Sequence, residues 1–263
     1  MIKIQPITNA LQKKIPLLHK KKYRDEDNAF LVEGWKCIEE VFKHTFEVEC
    51  VVFLENTYSD AVEIIEICTE KKIPMYYAPK EIFSKFSDTV SPQPIISVVK
   101  KPTVPFVSIS DILVLDGIQD PGNLGTILRT ATWFGITNII LSNQCADIWS
   151  PKVVRSATGS LFSLAMIRSA NLEETLLPLK ETHTFYSTVL DGSLRLNECT
   201  FEGPSIIIMG SEAQGVSDEV LRLSDHKVFI EGREGKRETD SLNVGIATSL
   251  CCYQLSLFRK RNS

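Results

Sequence analysis

The chain has 263 residues, 43% of them hydrophobic and 24% charged, with 13 Gly and 12 Pro. This composition excludes collagen-like and low-complexity classes and suits one large or two modest folded domains. The formal net charge of -4 excludes a uniformly basic nucleic-acid binder, so the distribution of charge matters more than its total.

Residues 1–30 carry seven Lys/Arg against three acids, residues 31–70 ten acids against two Lys, and residues 71–101 six Lys against two acids. The basic segments are candidate phosphate contacts, and a merely solvated charged face explains them equally well. Within this first part, Ala29–Val32 reads as a strand that turns at Glu33-Gly34. The helix that follows places Trp35, Ile38, Val41 and Phe42 at helical spacing. Cys50–Leu54 reads as a buried strand, and Ser59-Asp60 as the N-cap of a helix carrying Ala61, Ile64, Ile65 and Cys68 on one face. Strands Met75–Ala78 and Ile95–Val99 follow, then a Pro-marked linker from Lys100 to Pro105. The expected domains are therefore 1–103 and 104–263.

The second part alternates regularly. Strands are expected at Ile112–Leu115, Asn138–Leu141, Phe162–Ile167, Phe185–Leu190, Ser205–Met209 and Lys227–Ile230. Helices are expected at Leu124–Phe134, Lys152–Ala157, Leu172–Leu179, Asp218–Leu223 and Leu242–Arg259. Near-continuous apolar strands between helices imply an α/β fold with a parallel sheet covered on both faces. No apolar run approaches the roughly 18–20 residues that span a bilayer, and the N-terminus lacks an apolar signal core, so a cytoplasmic protein is expected. The seven cysteines form no CxxC pair and the four histidines are scattered, so free buried thiols are expected, with no metal site.

In open α/β sheets, ligands bind outside the carboxyl ends of the strands. Three such ends carry unusual polar residues. After Leu115, a Pro-Gly turn leads to a helix for which Asn123 reads as the N-cap, with Gly125 close by and Arg129 in the second turn. After Met209 comes Gly210-Ser211-Glu212-Ala213-Gln214-Gly215. After Ile230, a polar loop leads to Ser241-Leu242-Asn243-Val244, with Ser241 as the expected N-cap of the last helix. Taken singly, each loop has an ordinary explanation as a solvent-facing Arg, a simple turn or a cap.

Together, N-x-G-x3-R-x-A, G-x-E-x2-G and S-L-N-V, in this order and at strand ends, resemble the three motifs of the SpoU (TrmH-type) RNA 2′-O-ribose methyltransferases of the SPOUT superfamily. The resemblance runs from about residue 111 to 258. Phe30–Gly34 and Pro92–Ile95 also resemble the ribosomal-protein-L30e-like domain that precedes many members.

The resemblance implies an N-terminal L30e-like RNA substrate-binding domain and a C-terminal SPOUT α/β domain with a deep trefoil knot. It implies S-adenosyl-L-methionine as cofactor, no metal, a homodimer, and methyl transfer to a ribose 2′-hydroxyl, with ribosomal RNA favoured as substrate. A transfer-RNA substrate and a non-catalytic RNA-binding protein are the alternatives. By position, the family's polar active-site residues are Asn123, Arg129, Glu212, Ser241 and Asn243, and its cofactor contacts are Gly210, Ile230 and Leu242. In this reading Arg129 binds the target phosphate and Glu212 or the phosphate takes the proton. Asn123 and Asn243 position ribose and loops, and Ser241 orders the third loop. The third motif departs from the family pattern. Its usual Ile-Pro-Met begins Ile230-Glu231-Gly232, the loop to Asp240 is longer, and Gly245 stands where Ser is usual.

Overall fold

The computed structural model describes residues 4–102, 105–107, 109–232 and 241–262. The chain forms two compact units, Met1–Thr103 with Asp147–Phe162, and Val104–Ala146 with Ser163–Ser263.

The first unit holds five strands, β1 (Gln5–Pro6), β2 (Ala29–Glu33), β3 (Val48–Leu54), β4 (Met75–Ala78) and β5 (Ile95–Lys100). They lie in the order β1-β4-β3-β5-β2. β1, β4 and β3 are parallel, while β5 runs antiparallel to β3 and β2, so the sheet is mixed. Its helices are α1 (Asn9–Leu17), α2 (Lys21–Glu26), α3 (Trp35–Lys43), α4 (Val62–Glu70) and α5 (Lys80–Phe83). α4 has Ala61 rather than Ser59 or Asp60 at its N-cap position.

β2 stands at a sheet edge, yet all five of its residues are buried. Segment 147–162, with its helix Pro151–Ala157, covers it. Phe30 of β2 lies 4.6 Å from the Trp149 ring and 6.4 Å from Phe162. Buried Arg24 forms an ion pair with Asp147, and Arg155 reaches Asp88 at 2.6 Å and buried Glu33 at 3.5 Å. Covering an edge removes a strand that would otherwise offer its backbone to another chain.

The second unit contains β6 (Ile112–Asp116), α6 (Pro121–Trp133), β7 (Asn138–Ser142) and β8 (Ala165–Ser169), with the Pro151–Ala157 helix (α7) between β7 and β8 in sequence. It continues with α8 (Leu172–Leu176), β9 (Thr184–Thr188), β10 (Leu194–Arg195), β11 (Ser205–Gly210), α9 (Asp218–Leu223), β12 (His226–Phe229) and α10 (Val244–Asn262). The order is β10-β12-β9-β11-β6-β7-β8, and every pair is parallel. β6 and β7 are buried throughout, which their unbroken apolar runs anticipate. Val114, Ile140, Leu176, Phe185, Ile206 and Ile208 belong to one core on this sheet. The expected strand Phe162–Ile167 starts later, at Ala165, because Gly159 (φ 82°) and a 3-10 turn at Ser160–Ser163 precede it.

All seven cysteines are unpaired and buried. Burial pushes the thiols of Cys50, Cys68 and Cys252 up to about 12 and that of Cys199 to about 11. No described helix is long and apolar enough to cross a membrane.

Candidate active site

From β6 the chain steps outward through β7 and β8, then returns to place β11 and β9 on the other side of β6. The order therefore reverses between β6 and β11, where the last residues, Asp116 and Gly210, are in register. Such reversals open a crevice at the carboxyl edge.

Three loops meet there. Asp120 accepts the Asn123 N–H at 2.7 Å, and Pro121 fills the first helical position of α6. The N-cap is thus Asp120, not Asn123. The reason is local: proline lacks an N–H and its fixed φ suits the first helical turn, so the residue before it becomes the cap. Asn123 is left with its amide free to point across the loop. Its Nδ2 donates to Glu212 Oε1 at 2.6 Å, and its Oδ1 accepts Asn243 Nδ2 at 3.0 Å.

Asn243 is the N-cap of α10, the role expected of Ser241. Its Oδ1 accepts the N–H groups of Gly245 at 3.0 Å and Ile246 at 3.4 Å. This cap also orients the relay. Because Asn243 Oδ1 faces two backbone donors, its Nδ2 must be the group that meets Asn123. Asn123 must then present Oδ1 to Asn243 and Nδ2 to the Glu212 carboxylate. The three side chains form one polarised line from the third loop through the first to the second.

The loop carrying Glu212 is closed by mutual backbone bonds between Ser211 and Gly215, at 3.2 and 2.9 Å. It folds back tightly over its own strand. A Cβ on Gly210 would lie 2.0 Å from the Gly215 carbonyl carbon, so only glycine fits. Asp116, which is largely buried, accepts the Ser217 N–H at 2.9 Å and pins the loop's exit. The first loop is held from below. Gly117 N–H donates to Ser142 Oγ at 2.9 Å, and Ile118 N–H to Cys145 Sγ at 3.3 Å. Sequence reasoning missed Asp116, Ser142 and Cys145. A carboxylate ending an apolar strand is the one signal that marks Asp116 in advance.

Arg129 is exposed on α6 and makes no hydrogen bond or ion pair among the described residues. The structure does not join it to the Asn243–Asn123–Glu212 line. Ser241 is exposed just before α10 and is likewise outside that line. Residues 233–240, most of the lengthened third loop, lie outside the described residues. A Cβ on Gly245 would meet Asn243 Oδ1 at 3.2 Å and Thr126 at 3.4 Å, so the smaller residue here relieves a tight contact between the loops.

The expected cofactor positions can be tested on this edge. Gly210 ends β11 and Ile230 follows β12, with β9 between them in the sheet. Adjacent strands lie about 4.8 Å apart, so the two ends stand roughly 10 Å from each other. Leu190, just beyond β9, is 66% exposed, and Leu242 is 46% exposed. Strand-end backbone groups flanked by accessible apolar side chains are the mixed lining that a nucleoside needs. The residues present therefore fit an adenosine-bearing cofactor.

The profile of the SpoU rRNA Methylase family matches residues 110–253, more than half of the chain. The chain belongs to the SpoU rRNA methylase family. The SpoU-type region is preceded by a match to the MRM3-like substrate binding domain over residues 9–97. The chain is 32% identical to the 23S rRNA (guanosine(2553)-2′-O)-methyltransferase RlmP of Bacillus subtilis (strain 168), over 97% of this chain and 99% of that protein. A TrmH-family structure from Porphyromonas gingivalis superposes with a TM-score of 0.83 at 33% identity, covering 97% of this chain and 99% of the other. The SpoU methyltransferase AviRb from Streptomyces viridochromogenes, in complex with AdoMet, has the same fold at 23% identity, with a TM-score of 0.84 over 96% of this chain and 100% of the other.

Proposed function

We infer that this SpoU-family chain transfers a methyl group to a ribose 2′-hydroxyl of RNA, with ribosomal RNA the substrate. The observation that carries the inference is the Asn243–Asn123–Glu212 line at the reversal point of a SpoU-type sheet. S-adenosyl-L-methionine, when bound, supplies an electrophilic sulfonium methyl. Gly210, Ile230 and Leu242 hold it, through backbone groups and apolar contact.

The chain's own residues do the rest. Asn243 and Asn123 hold Glu212 by one carboxylate oxygen, which leaves the other oxygen to accept a hydrogen bond or the proton of the ribose hydroxyl. Arg129, exposed and uncommitted, engages the target phosphate through its planar fork. A guanidinium keeps its proton above about pH 12, so Arg129 acts electrostatically, by stabilising charge on the hydroxyl oxygen as it ionises. Ser241 orders the approach to α10. No metal enters this scheme.

Further features of the family are adopted in the same reading: a deep trefoil knot in the second domain, an L30e-like fold for residues 1–103 as RNA-binding domain, a cytoplasmic location and a homodimer. The dimer has a candidate face. Trp133 of α6 is 83% exposed, and Ile246, Leu250 and Tyr253 of α10 are exposed beside it, with Phe134 and Tyr253 in ring contact at 6.0 Å. Large exposed apolar groups on two packed helices support this face as the dimer interface.

The test is transfer of labelled methyl from S-adenosylmethionine to RNA from a strain lacking the gene. Label in ribosomal RNA, resistant to alkali between the modified nucleotide and its 3′ neighbour, is the expected result. Label confined to transfer RNA would replace the substrate, and binding of RNA without transfer would overturn the catalytic reading.

A further inference from the structure

The first unit's basic segments are less available than their sequence suggests. Lys14 pairs with Glu49 at 2.7 Å, Lys21 with Asp25 at 3.9 Å, Lys22 with Glu26 at 3.8 Å and Lys101 with Asp25 at 2.5 Å. Lys100 also pairs with Glu49, and Arg24 is buried against Asp147. Six cations of these segments are thus paired within the unit.

Lys13 and Lys85 are different. Both are exposed and have no hydrogen-bond or ion-pair partner among the described residues. They stand on opposite walls of one open cavity of about 280 Å³, between α1 and the 3-10 turn Ser84–Phe86 that follows α5. Asn9, Gln12, Ile82 and Phe86 complete its lining. Ile82 is half-buried and Phe86 buried, so the floor is apolar and fixed in the core. Asn9 and Gln12 contribute two amides to the lining, and among the described residues only that of Gln12 is bonded, from its Nε2 to the Ile7 carbonyl at 3.4 Å. Lys20, also without a side-chain partner among the described residues, follows His19, whose Nε2 lies 3.0 Å from the Phe86 carbonyl oxygen.

We propose that this cavity binds one nucleotide of single-stranded RNA. The proposal rests on the RNA methyltransferase reading and specifies where the first unit grips. Size, charge and chemistry agree on the occupant. The volume lies just below the about 300–1,000 Å³ of pockets for whole small molecules, enough for one splayed base and too small for a helix. An apolar floor suits the face or edge of a base, amides pair with base edges as donor or acceptor, and two uncommitted ammonium groups complement the flanking phosphates. Lys20, Lys36, Lys72 and Lys80 also lack ion-pair partners among the described residues, but Lys13 and Lys85 are the lysines that line this cavity.

The test uses the full chain with Lys13→Glu and Lys85→Glu together, and with both changed to Gln as a milder pair. The probe for binding is a mixed-sequence single-stranded oligoribonucleotide, titrated at several salt concentrations. Each lost phosphate contact lowers the salt slope by about 0.7 for single strands, so the double variants should lose about 1.4 from the slope and about tenfold or more in affinity. Transfer assays should show KM for RNA raised with kcat nearly unchanged, and cofactor binding by calorimetry should be unaltered. A control reversing Lys72 and Lys227 changes net charge equally and should leave the slope within experimental error. An unchanged slope in the Lys13/Lys85 variants, or an equal fall in the control, overturns the site. Absence of methyl transfer by the unaltered protein while its salt slope responds as expected overturns the catalytic reading and supports the site.

Discussion

Arg129→Ala should lower turnover by about 10²-fold or more, the scale of losing one electrostatic stabiliser of a transition state. Its exposure and lack of partners make a structural penalty small, within about 0.5 kcal/mol for a surface site of this kind. Unfolding midpoint and cofactor affinity should therefore stay put while turnover falls. Arg129→Lys should rescue poorly, since an ammonium lacks the fork that engages a phosphate through two donors. Near-normal turnover in the Lys or Gln variant would show that Arg129 only fills space. At this scale the polar residues of the site were legible in the sequence through the joint resemblance of three motifs, since Asn123, Glu212 and Asn243 each have an ordinary explanation when taken singly. Their partners were not. The cap of α6 is marked locally, by Pro121 after Asp120, but whether Ser241 or Asn243 caps α10 depends on which side chain also has a use across the crevice. That second choice involves a partner 120 positions away and leaves no local trace.

α10 is fastened at its far end by Arg259. Its Nε and Nη2 meet Asp111 at 2.9 and 2.6 Å, Nη2 also donates to the Gly203 carbonyl at 2.6 Å, and Nη1 to that of Phe201. Asp111 in turn accepts the Ser205 N–H at 2.9 Å, so one ion pair ties the last helix to the entries of β6 and β11. Arg259→Leu should destabilise the protein by about 1.5–3 kcal/mol, as for hydrogen bonds to charged groups, and Arg259→Lys should recover only part of this. A urea midpoint unmoved by the Leu variant would show that the last turns of α10 fray independently. Long periodic helices and unbroken apolar strands were legible, with ends displaced by a few residues. The two-residue strands β1 and β10 were not, because they are too short for periodicity to register, nor was α1, which carries Pro16 inside it, nor α2, whose KKYRDE run has almost no apolar face. The attachment of segment 147–162 was equally hidden. Val153 and Val154 advertise a helix with a buried face, and nothing in their spacing says which sheet receives it.

Acidification should weaken both units. Burial raises the carboxyl of Glu49, but hydrogen bonds from Lys100 and Lys14 outweigh it and hold the group below its ordinary range. Asp88 behaves likewise against Arg155, and Asp225 against Lys180 and the Phe185 N–H. With folded values below unfolded ones, the unfolded chain binds more protons between them. The stabilisation is present above about pH 4–5 and is lost as pH falls through the folded values. Urea midpoints measured from about pH 6 down to about pH 3 should decline, and less steeply in Glu49→Gln. A profile that is flat in the parent protein would show these pairs to be idle. The path of the chain carries a different consequence. It passes from the first unit to the second, back at Asp147 and out again after Phe162, so the cover of β2 is encoded after two strands of the other sheet. On a ribosome moving at about 5–20 residues per second, roughly 3–12 seconds separate the synthesis of residue 103 from that of residue 162. During that interval the first unit exists with a bare apolar edge, a waiting nascent chain whose last piece has not yet been made.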